Sequence, residues 1–203
     1  MKTIQTLLFT TLFFVFNYNL NAQSIFGATA TAGANISQMT GDFDGGFNKI
    51  GLHGGLEASI RLGFRTEMGI GILYDQRGSR NRPALGDEPF KIKIDYVMVP
   101  VTYSFKDWYD EDKGFYKMHF TGGLAYGRLI QRSQEGGRLL TECLNDFRQN
   151  DVSWMLGASF YWTRNWGATL YHTRPLFDAN TVLGNCSEDI RPYQWTFRVE
   201  YRF

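Results

Sequence analysis

Beyond its first two dozen residues the chain has no apolar run approaching the ~18 residues of a membrane-spanning helix, which excludes a helical membrane protein. Neither sign of charge is in excess: 21 Lys and Arg face 20 Asp and Glu, a net charge of +1. That balance excludes an electrostatic grip on nucleic acid and a polybasic membrane anchor. Cysteine is scarce, with Cys143 and Cys186 alone in 203 residues, and neither lies in a CxxC pair or at a zinc-type spacing from histidine. A metal site from His53, Glu57 and His119 lacks any compact ligand motif, and no cofactor is expected. Glycine and aromatics are plentiful, at 22 residues and 16% of the chain. Together, without long hydrophobic runs, they suit a β-protein better than a helical bundle.

The N-terminus, MKTIQTLLFTTLFFVFNYNLNAQS, places Lys2 before an apolar stretch from Ile4 to Phe16 and a polar segment ending in Asn21-Ala22-Gln23. This is the layout of a secretory signal peptide, too short in its apolar part to span a bilayer. Cleavage is expected after Ala22, leaving residues 23–203 as one domain.

That domain alternates with period 2. In the closing stretch, QWTFRVEYRF, the residues Trp195, Phe197, Val199, Tyr201 and Phe203 interleave with Gln194, Thr196, Arg198, Glu200 and Arg202. Such alternation marks a strand with two unlike faces. Seven more segments show it, near 26–37, 49–62, 65–76, 91–105, 115–130, 151–163 and 165–175. The fourth is the least regular: Val97, Val99, Val101, Tyr103 and Phe105 form its apolar face, while Ile92, Ile94 and Tyr96 break the phase. A bulge or a solvent-exposed outer end accounts for such a break. Connections at 62–65, 106–114 and 163–165 are short, and those at 38–48, 77–90, 131–150 and 176–190 are long. Short turns at one rim and long loops at the other define an up-and-down barrel, and an even strand count returns both termini to the short-turn rim.

Alternation alone fits a soluble barrel with an apolar interior as well as a membrane barrel with an apolar exterior. Glycine separates them. Gly27, Gly33, Gly51, Gly55, Gly69, Gly71, Gly123, Gly127, Gly157 and Gly167 fall on the polar face; Gly54 and Gly122 are exceptions. A solvated strand surface gains nothing from missing side chains, whereas the interior of an eight-stranded barrel has barely room for its contents. Phe105, Phe115, Tyr116, Trp162, Trp166, Tyr201 and Phe203 cluster toward the short-turn rim, where an interfacial girdle belongs. The expected fold is an all-β, eight-stranded antiparallel transmembrane β-barrel in the bacterial outer membrane, with its apolar face on lipid.

Three stretches carry a family resemblance: NKIGLHGGLEASIRLGFRTEMGIGILYDQRGS (48–79), with Tyr74, Gly78 and Ser79 at a strand end; IDYVMVPVTYSFK (94–106), with Tyr96 and Pro100; and TGGLAYGRLI (121–130). Together they resemble the PorT-like outer-membrane β-barrel proteins of Bacteroidetes, over essentially the whole mature length. The motifs report a fold more than an activity. The resemblance implies that the terminal Phe203, with Tyr201 and Val199, is read by the barrel-assembly machinery. It also implies an association with a secretion apparatus as one alternative role.

The inward face holds Lys49, His53, Glu57, Arg61, Glu67, Asp75, Lys117, His119, Asp151, Arg198, Glu200 and Arg202. Because unpaired charges in low dielectric are costly, nearly balanced signs in a narrow lumen are expected to form a paired plug. The core of this network is expected at His53, Glu57, Arg61, Glu67, Lys117, His119, Arg198 and Glu200. An open porin is disfavoured, since eight strands leave no wide channel. Some barrels of this size modify lipid A. Such chemistry needs a His, an acid and a Ser near the outer leaflet, and His172 here shares the lipid-facing parity while Ser153 and Asp151 face inward.

A non-enzymatic envelope protein is therefore expected, a monomer contacting outer-membrane lipid and either structural or binding a partner through the loops 38–48, 77–90, 131–150 and 176–190. Asp42 and Asp44 near Gly45 and Gly46 resemble part of a calcium loop but lack its later acid, which leaves a plain turn. GRLLTECLNDF (137–147) has the pattern of a short amphipathic helix. Cys143 and Cys186 lie in loops at the same oxidising rim and are expected to form a disulfide.

Overall fold

The structure is a computed structural model that describes residues 25–39, 49–80, 91–136, 148–177 and 191–203. These form eight strands: β1 (Phe26–Met39), β2 (Lys49–Arg61), β3 (Thr66–Arg80), β4 (Lys91–Asp110), β5 (Phe115–Glu135), β6 (Asn150–Tyr161), β7 (Trp166–Pro175) and β8 (Pro192–Arg202). Each pairs antiparallel with its neighbours in sequence, and β8 returns to β1, with Ala32 opposite Val199, closing the barrel. Closure removes both sheet edges, so every strand finds hydrogen-bond partners, as lipid requires.

The wall is inside out. Ile50, Leu56 and Ile72 are 68%, 64% and 66% exposed, while Asn35, Thr196 and Arg198 on the opposite parity are 0%, 1% and 2% exposed. An aqueous protein does not leave such a belt of aliphatic side chains uncovered; lipid covers it. Glycine makes the packed interior feasible. A Cβ added at Gly157 would lie 2.6 Å from Cε1 of the Tyr171 ring, and one at Gly167 2.6 Å from Cδ1 of Tyr161. Each glycine is thus the floor on which a buried tyrosine rests.

The tight turns have local causes. In the β4–β5 turn, 111–114, the Gly114 amide donates to the Asp110 carbonyl at 2.8 Å, and Gly114 takes φ +68°, which a side chain would resist. Thr163 Oγ1 accepts from the amides of Asn165 (3.3 Å) and Trp166 (2.9 Å), pinning the β6–β7 turn. Near this rim Trp166 stacks edge-on against Tyr201 at 4.9 Å, and Tyr201 against Phe203 at 5.1 Å.

Several boundaries differ from the sequence reading. β4 runs to Asp110, so the turn expected at 106–114 shrinks to 111–114 and Lys106 faces the lumen. β3 and β5 continue to Arg80 and Glu135, turning the first residues of two expected loops into wall. The polar composition there reflects strand ends above the lipid. The irregularity in the fourth segment also has a different cause. Even-numbered residues of β4 point inward from Ile92 to Lys106, and Ile92, Ile94, Tyr96 and Met98 are buried at 4% exposure or less. They join Leu73, Ala125, Met155 and Tyr171 in a small apolar core inside the lumen. The phase of the strand holds; it is the interior that turns apolar. A register shift does occur beside Tyr96, where Asp95 faces Gln131 and Tyr96 faces Leu129, leaving Ile130 as the extra residue on β5.

Candidate functional site

Above the midpoint of the barrel, a carboxylate and a guanidinium from one strand gather partners from around the wall. Asp75 and Arg77 share the inward face of β3. Asp75 accepts from Asn35 Nδ2 at 3.0 Å and from Gln194 Nε2 at 3.0 and 2.9 Å, and meets His53 Nδ1 at 2.9 Å. Arg77 donates to Asp75 Oδ2 at 2.6 Å and to Asp151 Oδ2 at 2.9 Å, and its guanidinium lies 5.2 Å from the centre of the Tyr96 ring. Ser153 Oγ donates to Asp151 at 2.6 Å. Strands β1, β2, β3, β6 and β8 are thereby tied across the lumen.

Lower down, Arg198 pairs with Glu57 at 2.7 Å and Glu200 at 2.8 Å, with its guanidinium 4.5 Å from the centre of the Tyr171 ring. The Tyr161 hydroxyl donates to Glu200. Near the short-turn end Glu67 pairs with both Lys106 and Arg202, and the His119 ring lies 4.6 Å from Tyr161. Buried charges such as these persist because each lies within ion-pair distance of an opposite charge.

Of the eight residues expected in the lumen network, the structure brings Glu57, Arg198 and Glu200 into one cluster and sets Glu67 and His119 just below it. His53 belongs to the upper cluster through Asp75. Arg61 and Lys117 do not join. Arg61 is exposed at the end of β2, and Lys117 pairs with Asp110 at 2.8 Å at the rim. Both sit at strand ends, where inward parity points at the mouth instead of the packed interior. Five partners went unassigned in the sequence reading. Arg77 and Lys106 fell in expected connections, and Asn35, Tyr161 and Gln194 carry no charge to flag them. Strand ends read from alternation alone hid Arg77 and Lys106.

His53, Glu57 and His119 each have a different partner, as given above, and share no site. His172 lies on the lipid face, with its ring 4.6 Å from Trp195 and 5.4 Å from Trp154. Ser153 is fully buried inside and engaged with Asp151. The wall separates the elements of the lipid A-modifying arrangement. The cysteines, the Asp42–Gly46 stretch and the 137–147 segment lie outside the described residues.

A closed, eight-stranded, inside-out barrel with short turns at one rim and a charge-paired lumen is a transmembrane β-barrel of the bacterial outer membrane. The chain belongs to the outer membrane protein beta-barrel domain family, which it matches over residues 6–203. Among solved structures it is similar to Neisserial surface protein A, at 13% identity and a TM-score of 0.50, covering 89% of this chain and 98% of that one. It is also similar to Ail of Yersinia pestis, at 12% identity and a TM-score of 0.47 over 87% and 99% of the two chains. OprG from Pseudomonas aeruginosa follows at 9% identity and 0.46, over 88% and 95%. No curated protein matches the sequence.

Proposed function

We propose that this protein is a non-enzymatic, monomeric envelope component, exported with loss of residues 1–22, that presents its outer loops to a partner or reinforces the outer membrane structurally. The observation that carries this reading is the commitment of the lumen to structure. Arg77 and Arg198 are 1% and 2% exposed and ion-paired to carboxylates on other strands, Asp151 and Glu57. An interior filled in this way offers no wide path for solutes, so function falls to the surfaces. Of these, the connections beyond the strand ends, 40–48, 81–90, 136–149 and 176–191, are the most polar. Contacts with lipid and the barrel-assembly machinery belong to this reading; nucleic acid does not.

Cross-linking in intact cells tests it, with the full chain compared against variants in which these four stretches are shortened. Partners captured by the full chain and lost on shortening support the binding form. Retention of every partner by all the shortened variants, with unchanged envelope integrity, overturns it. A second reading, association with a secretion apparatus, is favoured by the PorT-like pattern around Tyr74, Tyr96 and Pro100. Loss of protein secretion in a deletion strain would select it.

A further inference from the structure

The periplasmic mouth of the barrel, at the short-turn rim, carries a second and different arrangement of charge. A cavity of about 350 Å³ opens there. Four cations line it from four parts of the fold: Arg61 at the end of β2, Lys106 of β4, Arg164 of the β6–β7 turn and Arg202 of β8. No carboxylate lines it. Glu67, packed behind, is shared between Lys106 and Arg202. Arg61 and Arg164 make no ion pair among the described residues; Arg164 reaches only the carbonyls of Lys113 and Gly114, at 3.4 and 3.5 Å. The nearest rim acids are engaged elsewhere, Asp110 with Lys117 and Asp107 with Arg65, and Glu111 and Asp112 stand exposed on the β4–β5 turn. The rings of Tyr109 and Tyr116, 4.9 Å apart, form an aromatic side wall.

The lumen above sets acids against its bases; in this mouth, among the described residues, four cations stand against the single carboxylate of Glu67. Like charges converging on a concave mouth focus a positive potential and repel one another until an anion enters. Guanidinium groups suit an oxyanion that accepts two parallel hydrogen bonds, which a phosphate offers from several sides. The cavity exceeds the size of a bare phosphate, and its aromatic wall offers a face to an organic substituent.

We propose that the periplasmic mouth binds the phosphate group of a small organic phosphate, held between Arg61 and Arg164 above the Lys106–Arg202 floor. Two sources share this chemistry: the headgroup of an inner-leaflet phospholipid, and a soluble periplasmic phosphate ester.

The test uses the full folded barrel in an uncharged, phosphate-free detergent at fixed ionic strength. Calorimetric titration compares phenyl phosphate, inorganic phosphate, benzoate and a short-chain phosphatidylglycerol. Saturable binding is expected, tighter for phenyl phosphate than for inorganic phosphate or benzoate. Arg61→Gln and Arg164→Gln should each weaken it about tenfold, the loss expected for one charge-assisted hydrogen bond. Arg128→Gln, the same charge change at the opposite rim, should leave it unchanged. Heat-modifiable gel mobility verifies that each variant is folded. Competition by the phosphatidylglycerol identifies the lipid source, and its failure to compete the soluble one; both support the site. Absence of saturable binding, benzoate binding as tightly as phenyl phosphate, or wild-type affinity in both rim variants overturns it.

Discussion

Arg77 donates from Nε to Asp75 Oδ2 at 2.6 Å, with both side chains 1% exposed. The two residues stand two apart on β3, so the pleat alone brings them side by side on the inward face. Their value to the barrel lies in what each reaches next. Asp75 collects side chains from β1, β2 and β8, and Arg77 reaches Asp151 on β6. Two residues of one strand therefore brace the circumference from inside.

Removing Asp75 leaves Arg77 with Asp151 alone and takes the common acceptor from Asn35, His53 and Gln194 in a buried site. Asp75→Ala is expected to destabilise the folded barrel by about 3–5 kcal/mol, the range for breaking a buried ion pair. The paired change Asp75→Leu with Arg77→Met should cost clearly less than the sum of the single changes. Urea titration in detergent, followed by tryptophan fluorescence, measures both. A loss below about 1 kcal/mol for Asp75→Ala would place the brace elsewhere.

Phe203 is 74% exposed; its amide donates to the Ala28 carbonyl at 3.0 Å and its ring meets Tyr201 at 5.1 Å. So few contacts make it a small part of the finished fold. As the assembly signal that the PorT-like resemblance implies, Phe203 should when deleted lower the amount of assembled barrel in cells and leave more chain in the periplasm. The purified, refolded variant should unfold at nearly the wild-type urea concentration. Normal assembly of the truncated chain would show that the terminal aromatic is incidental.

Cys143 and Cys186 are proposed to form a disulfide at the outer rim. Joining them encloses a segment of about 40 residues, worth up to roughly 4 kcal/mol by the loss of chain entropy in the unfolded state. Intact mass before and after reduction and alkylation decides this. The oxidised protein should take no label until reductant is added; two labels without reductant would refute the bridge.

The fold was legible because lipid and a narrow lumen impose period 2 on every strand. Glycine on the polar face gave the direction, and the structure explains why: Gly157 and Gly167 each lie beneath a tyrosine that no side chain could share space with. The lumen chemistry was legible in part. Parity alone brought out Glu57, Arg198 and Glu200. It could not bring out Arg77 or Lys106, because strand ends are set by how far the wall rises beyond the lipid, not by alternation. Nor did it separate Arg61 and Lys117 from the interior, since parity gives a side and not a depth. The apolar residues Ile92, Ile94 and Tyr96 looked like a broken phase because a membrane barrel was expected to be polar inside; here its upper lumen has a core of its own.

Side chains fill the lumen, and ion conductance reads that filling without intermediaries. Purified protein reconstituted in planar bilayers, with insertion confirmed by heat-modifiable mobility, should show little or no conductance in molar salt. Replacing Arg77, Arg198 and Tyr171 together with alanine in a folded variant should open measurable current. Stable openings of porin size from the wild-type barrel would mean that the lumen is open.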